Sequence, residues 1–464
     1  MNVTAESMVA WCRVLLGADE TAPRPPLEKY LEAIPRLDAL ADLPQGTRVL
    51  VRGDVDAKPG AKVGEGDIRL RSMAETLRFG RERGWVQVVF GHIGRDPEKS
   101  LDKVAKRIGE ILDCEVTFVG EWLDGDSITV TDDAAQTIET AAPGSVVVLE
   151  NTRRYPIERV LWKAKPEELD TLAGDLARLA GEMAAKVATV YVNEAFSAGS
   201  LDASSTVVPA AMEQVALGRY VAEQFDGPLR DCLDAEMVIF SGLKADKLDD
   251  MEAMIARGKI RHVVCAGSLA MALKKADEEL QGRQFDLGVS EDPGHSDKPY
   301  FIPRDRIEQA KRMLTEGRSK GIDFVLPVDF VLEDGSVSET VGPGRQQFDV
   351  GPKSSEVFAE KIARFIAEHQ GKSATVFYNG VFGMFEDPRF ETGTRKFIPE
   401  LKRMKEAGIK VYVGGGEGGK ALEKYGQEDW VTYCFTAGGT VLNALGSEPV
   451  PYLVALKMAA ERAR

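Results

Sequence analysis

Short runs of Val, Ile and Leu recur along the chain, each ending in a polar or glycine-containing loop and followed by an amphipathic stretch. RVLVRGDVD (48–56), VQVVFGH (86–92), SVVVLENTR (145–153) and ATVYVNEAF (188–196) set this pattern in the first half. MVIFSG, HVVCAGS, FVLPVDF, ATVFYNG and KVYVGGG repeat it in the second. Between them, SLDKVAKRIGEIL and KSSEVFAEKIARFIAEH place apolar residues at helical spacing. Continuous apolar strands alternating with helices predict parallel sheets covered on both faces, with ligand sites at the strand C-terminal ends. The polar residues that follow the strands are therefore the candidates for chemistry.

The pattern occurs twice, which predicts an α/β protein of two Rossmann-like lobes. Residues 205–226, with Pro209 near their start, read as one long interdomain helix joining the lobes. The expected divisions are residues 1–204 for the first lobe, 227–446 for the second and 447–464 for a C-terminal segment after the EPVPY cluster. The Pro-rich APRPP lies within 1–46, which are expected to form an irregular extension before the first strand.

Composition changes the picture in two ways. The chain carries 59 Lys+Arg against 74 Asp+Glu, a net charge of −15, which argues against nonspecific nucleic-acid binding. Its 5 cysteines are scattered and form no CxxC pair, so a reducing cytoplasm is expected, with neither a disulfide framework nor a thiolate zinc site. No apolar run approaches the roughly 18 residues of a membrane span, and no membrane partner is expected.

Against this acidic background, basic residues follow the strands of the first half. Arg52 and Asp54 close the first, Arg69 and Arg71 open the next helix, His92 and Arg95 follow the second, and Arg153 and Arg154 follow VVVLENT. Any one Arg alone reads as a surface ion pair. Recurrence at several strand ends points instead to an anion site, because the guanidinium fork clamps phosphate and carboxylate through paired donors. The second half offers SGLKADK, AGSL, YNGVFGMFE, VGGGEGGK and TAGGT, glycine-rich turns suited to nucleotide phosphates. Lys244 and Lys247 lie in the first of these turns, and Asp329, Glu386 and Glu417 are candidate partners for Mg²⁺ or the nucleotide. GGGEGGKA (414–421) imitates a phosphate loop but ends in Ala421, without the hydroxyl that such a loop gives Mg²⁺. An anion site in one lobe and a nucleotide site in the other suggest phosphoryl transfer. A carboxylate acceptor, with a reference pKa of ~4, would need no base at neutral pH.

In order and spacing, RVLVRGDVDAKPG, FGHIGRD, VVLENTRRY, YVNEAFSAGS, LPVDF, YNGVFGMFE and VGGGEGG resemble the motifs of the phosphoglycerate kinase family, from about Arg48 to Leu456. The resemblance implies a cytoplasmic, monomeric glycolytic enzyme that moves a phosphoryl group between ATP/ADP and the carboxylate of 3-phosphoglycerate. Mg²⁺ would be its cofactor, and hinge closure would bring the substrates together. It implies acceptor-site roles for Arg52, Asp54, Asp56, His92, Arg95 and Arg153, and a catalytic role for Arg69 on the moving phosphoryl group. Lys244 and Lys247 match the family's paired lysines, with one residue fewer between them, and the resemblance implies catalytic and nucleotide-binding roles for both. Gly267, Asn379, Glu386 and Gly414, Gly415 and Gly416 fall at the nucleotide site, and Glu417 takes the place of the Mg²⁺-linked aspartate.

The departures cluster in the same places. The family's HRAH is here Ser200-Leu201-Asp202-Ala203, Asp56 replaces an asparagine, Gly418 a threonine, and Phe435 and Ala437 a serine and a glycine. Leu201 removes an arginine, while Asp202 and Asp56 add negative charge beside an anionic acceptor. Two other readings follow: a same-fold kinase for a different carboxylic acid, and a nucleotide-binding scaffold without kinase activity.

Overall fold

A computed structural model describes residues 3–19, 21, 24–446 and 448–462. The chain divides into two compact units, Met1–Asp226 with Pro449–Arg464, and Gly227–Glu448.

The first unit is built on a six-stranded parallel sheet in the spatial order Val116–Val119, Val146–Leu149, Val86–Phe90, Arg48–Gly53, Val190–Glu194, Gln214–Leu217. Its apolar strands are buried on both faces, as Val49, Leu50 and Val51 illustrate. Val49, Val51, Val89, Val148 and Val192 pack on one face against Met73, Leu77, Val104 and Ile108. The helix Asp102–Leu112 contributes Val104, Ala105, Ile108 and Leu112, the apolar stripe that its sequence spacing predicts. Burying each large aliphatic side chain contributes roughly 1.5–3 kcal/mol. After Arg48–Gly53 the chain builds one side of the sheet, and from Val190–Glu194 it builds the other. The strand order thus reverses between these two strands, where doubly wound sheets bind ligands.

The second unit repeats the plan in the order Asp323–Val325, His262–Ala266, Met237–Gly242, Thr375–Asn379, Lys410–Val413, Tyr433–Cys434, again all parallel. Ile239, Val264, Val376, Val411 and Val413 pack against Phe358, Ile362 and Phe365 from the helix Pro352–Glu368 and against Phe397 and Leu401. The reversal here falls between Met237–Gly242 and Thr375–Asn379. A small antiparallel sheet joins Phe330–Leu332 to Val337–Ser338 and Gln347–Val350. FVLPVDF therefore serves two sheets, its parallel strand ending at Val325, just before Leu326 and Pro327.

Residues 205–226 do not form one long helix. They run through the end of the short helix Ala203–Thr206, a 3₁₀ turn Val208–Ala211, the edge strand Gln214–Leu217 and the helix Arg219–Asp226. Pro209 lacks the amide that a continuous helix needs. Gln214–Leu217 pairs with Val190–Asn193, so the sheet edge overrides local helical preference. The whole stretch belongs to the first unit rather than to a connector.

The expected irregular extension also holds two helices. Ala5–Leu15 is capped reciprocally by Thr4 and Ser7 and buries Met8, Trp11 and Cys12, and Leu27–Ala33 follows. Ala22 and Pro23 of APRPP lie outside the described residues. The C-terminal helix Pro451–Arg462 packs in the first unit, with Tyr452 edge-on to Phe225 at 6.3 Å and the Arg462 guanidinium 5.4 Å from the Trp11 ring centre. Ser447, Ala463 and Arg464, which the expected 447–464 segment includes, lie outside the described residues. All 5 cysteines are free thiols. Among the described residues, no helix is long and apolar enough to cross a membrane.

Candidate active site

In the first unit, the residues after the central strands form two linked clusters. Arg52, the penultimate residue of its strand, is 1% exposed and fully committed. Its Nε donates to Ser204 Oγ at 2.9 Å, Nη1 to Gly53 O at 2.6 Å and Nη2 to His92 Nδ1 at 3.0 Å. Gly91 lets the two strand ends approach, since a Cβ there would lie 2.7 Å from Arg52 Nη1. Burial, reinforced by Arg52 and Arg153, holds the His92 pKa well below its usual value. The ring is therefore neutral, accepting at Nδ1 and carrying its proton on Nε2.

Arg153 is set by Asn151, whose Oδ1 accepts from the Arg153 amide at 3.1 Å and whose Nδ2 donates to Lys99 O at 2.9 Å. The Arg153 guanidinium donates to Gly94 O at 2.5 Å and lies 5.0 Å from the Trp162 ring centre. The Gly94 peptide links this cluster to the next, because its amide donates to Asp56 Oδ1 at 2.9 Å. Arg69 Nη1 stands 3.5 Å from both Asp54 Oδ1 and Asp56 Oδ2. Asp54 is buried and accepts from Ser197 Oγ at 2.9 Å; burial raises its pKa, against the pull of Arg69. Arg95 is exposed.

At the centre of the first cluster stands Asp202, which the sequence marked only as a departure. Glu158, Ser204 and Trp162 join it without any sequence signal. Glu158 accepts from Thr152 Oγ1 at 2.8 Å and from Ser204 at Oγ (2.6 Å) and N (2.8 Å). The ligand atoms of His92, Glu158 and Asp202 lie within 4.8 Å of one another, close enough to suggest a metal site. The electrostatics oppose it, because Arg52 and Arg153 already bring two fixed positive charges within 4 Å of Asp202.

The second unit is assembled differently. Its cleft is lined by Gly242, Gly267, Gln347, Phe348, Gly383, Met384, Glu386 and Glu417. Gly267 opens the helix Gly267–Leu280 at φ +67°, and a Cβ there would lie 2.8 Å from Ser241 Oγ. Gly414, Gly415 and Gly416 turn the strand Lys410–Val413 into the helix Glu417–Tyr425. Lys247 Nζ reaches Ser241 O at 3.4 Å and Asn379 Oδ1 at 3.5 Å, at the point where the strand order reverses. Burial lowers its pKa, with Glu417 pulling the other way. Lys244, Glu386 and Glu417 are exposed, whereas Asn379 is buried.

Asp329 is not available to a metal or nucleotide. Its Oδ1 accepts from Ser354 N at 2.7 Å and Oδ2 from Lys353 N at 3.1 Å, which caps the helix Pro352–Glu368. Glu417 fits Mg²⁺ better, as an exposed hard oxygen donor on the nucleotide-suited cleft.

The phosphoglycerate kinase family model matches residues 40–448. The phosphoglycerate kinase of Candida glabrata is 27% identical over 430 residues, covering 87% of this chain and 94% of that protein. That of Thermosipho africanus is 28% identical over 429 residues, covering 89% and 95%. Among solved structures, phosphoglycerate kinase from Pyrococcus horikoshii aligns with a TM-score of 0.66 at 23% identity, covering 92% of this chain and 100% of its own. The Coxiella burnetii enzyme aligns with a TM-score of 0.63 at 22% identity, covering 92% and 99%, so the fold is shared. With a match across most of its length and the same two-sheet architecture, the chain belongs to the phosphoglycerate kinase family.

Proposed function

We propose that this protein catalyses reversible phosphoryl transfer between ATP and the carboxylate of 3-phosphoglycerate. The observation that carries the reading is the gathering of Arg69, His92 and Arg153 beyond the strand ends of one sheet in a chain of this family.

The acceptor carboxylate is ionised at neutral pH and needs no general base. Its oxygen attacks the γ-phosphorus as the bond to the β,γ-bridging oxygen breaks, giving ADP and the acyl phosphate 1,3-bisphosphoglycerate. Arg69, 27% exposed in its side chain, is placed to neutralise charge on the moving group while Asp54 and Asp56 hold it. Arg52 is too buried to touch the acceptor and acts as a positioning residue, orienting His92 through Nδ1. Arg153 and the exposed Arg95 supply positive charge for the acceptor's distal phosphate.

In the second unit, the helix N-termini at Gly267 and Glu417 suit the nucleotide phosphates, with Lys247 beside them. Glu417, together with those phosphates, would hold Mg²⁺, which offsets phosphate charge when bound.

The test is a coupled assay with purified protein, ATP, Mg²⁺ and 3-phosphoglycerate. ADP should form only when the acceptor is present, and hydroxylamine should trap the acyl phosphate. No turnover at saturating substrates would defeat the reading.

A further inference from the structure

Asp202 is completely buried, and its two oxygens are treated unequally. Oδ1 accepts from Trp162 Nε1 at 2.9 Å, whereas Oδ2 receives no hydrogen bond. Oδ2 instead faces His92 Nδ1 at 3.5 Å, Arg153 Nη2 at 3.8 Å and Arg52 Nη2 at 3.9 Å. These groups come from three strand ends and converge on one carboxylate oxygen at distances too long for good hydrogen bonds. A buried carboxylate oxygen without a donor is costly, and here the field of the two guanidiniums sustains it. The neighbouring Glu158 shows how little further negative charge the cluster tolerates. Its carboxyl is pushed well above the usual carboxylate range, first by burial and then by the charge on Asp202. An incoming anion must draw on the same guanidiniums.

We propose that Asp202 is a built-in counter-anion of the acceptor site. It takes up the positive field of Arg52 and Arg153 that would otherwise act on the acceptor's distal phosphate, and so sets acceptor affinity rather than the rate of transfer. The inference deepens the function proposed above and rests on it. His92 is neutral, so the two nearest guanidiniums face the Asp202 carboxylate, while burial favours the protonated form of the neighbouring Glu158. Without the Asp202 charge, positive charge is left in excess. The preceding residue, half-buried Leu201, has no polar side-chain group with which to bind an anion.

Asp202→Asn keeps the shape and an oxygen for Trp162 while removing the charge. Two quantities are read: KM for 3-phosphoglycerate against kcat, and the shift in thermal midpoint caused by inorganic phosphate. KM should fall by about tenfold or more, with the effect on KM larger than that on kcat. Phosphate should raise the variant's midpoint more than the wild type's. Should the Asn variant fold poorly, Asp202→Ala is compared with and without phosphate. Folding rescued by phosphate supports the proposal, and no gain from phosphate overturns it. An unchanged or raised KM with equal phosphate shifts also overturns it, while leaving the acceptor assignment standing. If neither wild type nor variant turns over 3-phosphoglycerate but phosphate still favours the variant, the acceptor assignment fails and the counter-anion survives.

Discussion

The proposed acceptor side of the first unit and the proposed nucleotide side of the second would meet the same problem, holding negatively charged groups, by opposite means. In the first, buried side chains are tied to one another: Arg52 is bonded at every nitrogen, Asp202 is enclosed, and His92 is kept neutral. In the second, glycine turns and helix N-termini present backbone, and the charged groups Lys244, Glu386 and Glu417 stand in solvent. The first region must therefore remain intact for its unit to fold, whereas the second can lose a charge and keep its shape. Substitutions on the acceptor side should reach stability as well as binding, and those on the nucleotide side should reach binding alone.

The sharpest way to break this contrast is to compare Arg52→Met with Glu417→Gln. Removing Arg52 strips Asp202 and Glu158 of a buried positive partner and leaves Ser204 Oγ without its donor from Arg52 Nε. Losing one partner of a buried ionic network costs about 3–5 kcal/mol. Urea unfolding of the full chain should show the loss as a lower midpoint than wild type. Glu417→Gln, at an exposed position, should stay within about 0.5 kcal/mol of wild type and instead raise the KM for Mg-nucleotide. Equal stabilities for the two variants would remove the distinction between the regions.

Arg69 sharpens the comparison from within the acceptor side, because it is partly exposed and its ion-pair distances are long, 3.5 Å to each aspartate. Such long contacts contribute little to stability, and a charge that develops only during reaction would strengthen the pull on this guanidinium. Arg69→Ala should lower kcat by about 10²–10³-fold, with a smaller change in the acceptor KM. A rise in KM at unchanged kcat would make Arg69 a ground-state binder.

These contrasts were unequally legible in the sequence. Hydrophobic runs located the strands because parallel strands are buried on both faces, and their polar ends marked Arg52, His92 and Arg153, whereas Asn379 came from the family resemblance alone. Gln214–Leu217 read as helix because only its pairing with Val190–Asn193 makes it a strand, and that partner is not local. Asp329 resembled a ligand because it follows an apolar run; that it caps a distant helix is a tertiary fact. Asp202 was visible as a misplaced charge, but its inward direction is fixed by Trp162, 40 residues earlier in the chain. Glu158 left no sequence signal, since what marks it is burial beside Ser204.

The smallest expected difference separates the two lysines that a one-residue deletion makes hard to assign by spacing. Lys247 begins the helix Lys247–Ala256 and lies against Ser241 and Asn379, largely removed from water, so its ammonium is poorly solvated and burial lowers its pKa. A phosphate beside it would replace missing solvation and pair with the charge in a low-dielectric setting. Lys244, exposed in the preceding loop, is already hydrated and would exchange water for phosphate with little gain. Lys247→Ala should therefore raise the nucleotide KM by about tenfold, and Lys244→Ala by no more than about threefold. The asymmetry should also shrink in salt from the Lys244 side first, because an exposed charge is screened and a buried one much less so. Equal effects at low salt, or a larger one from Lys244, would mean that the nucleotide side depends on its exposed charges and not on the half-buried ammonium at the strand ends.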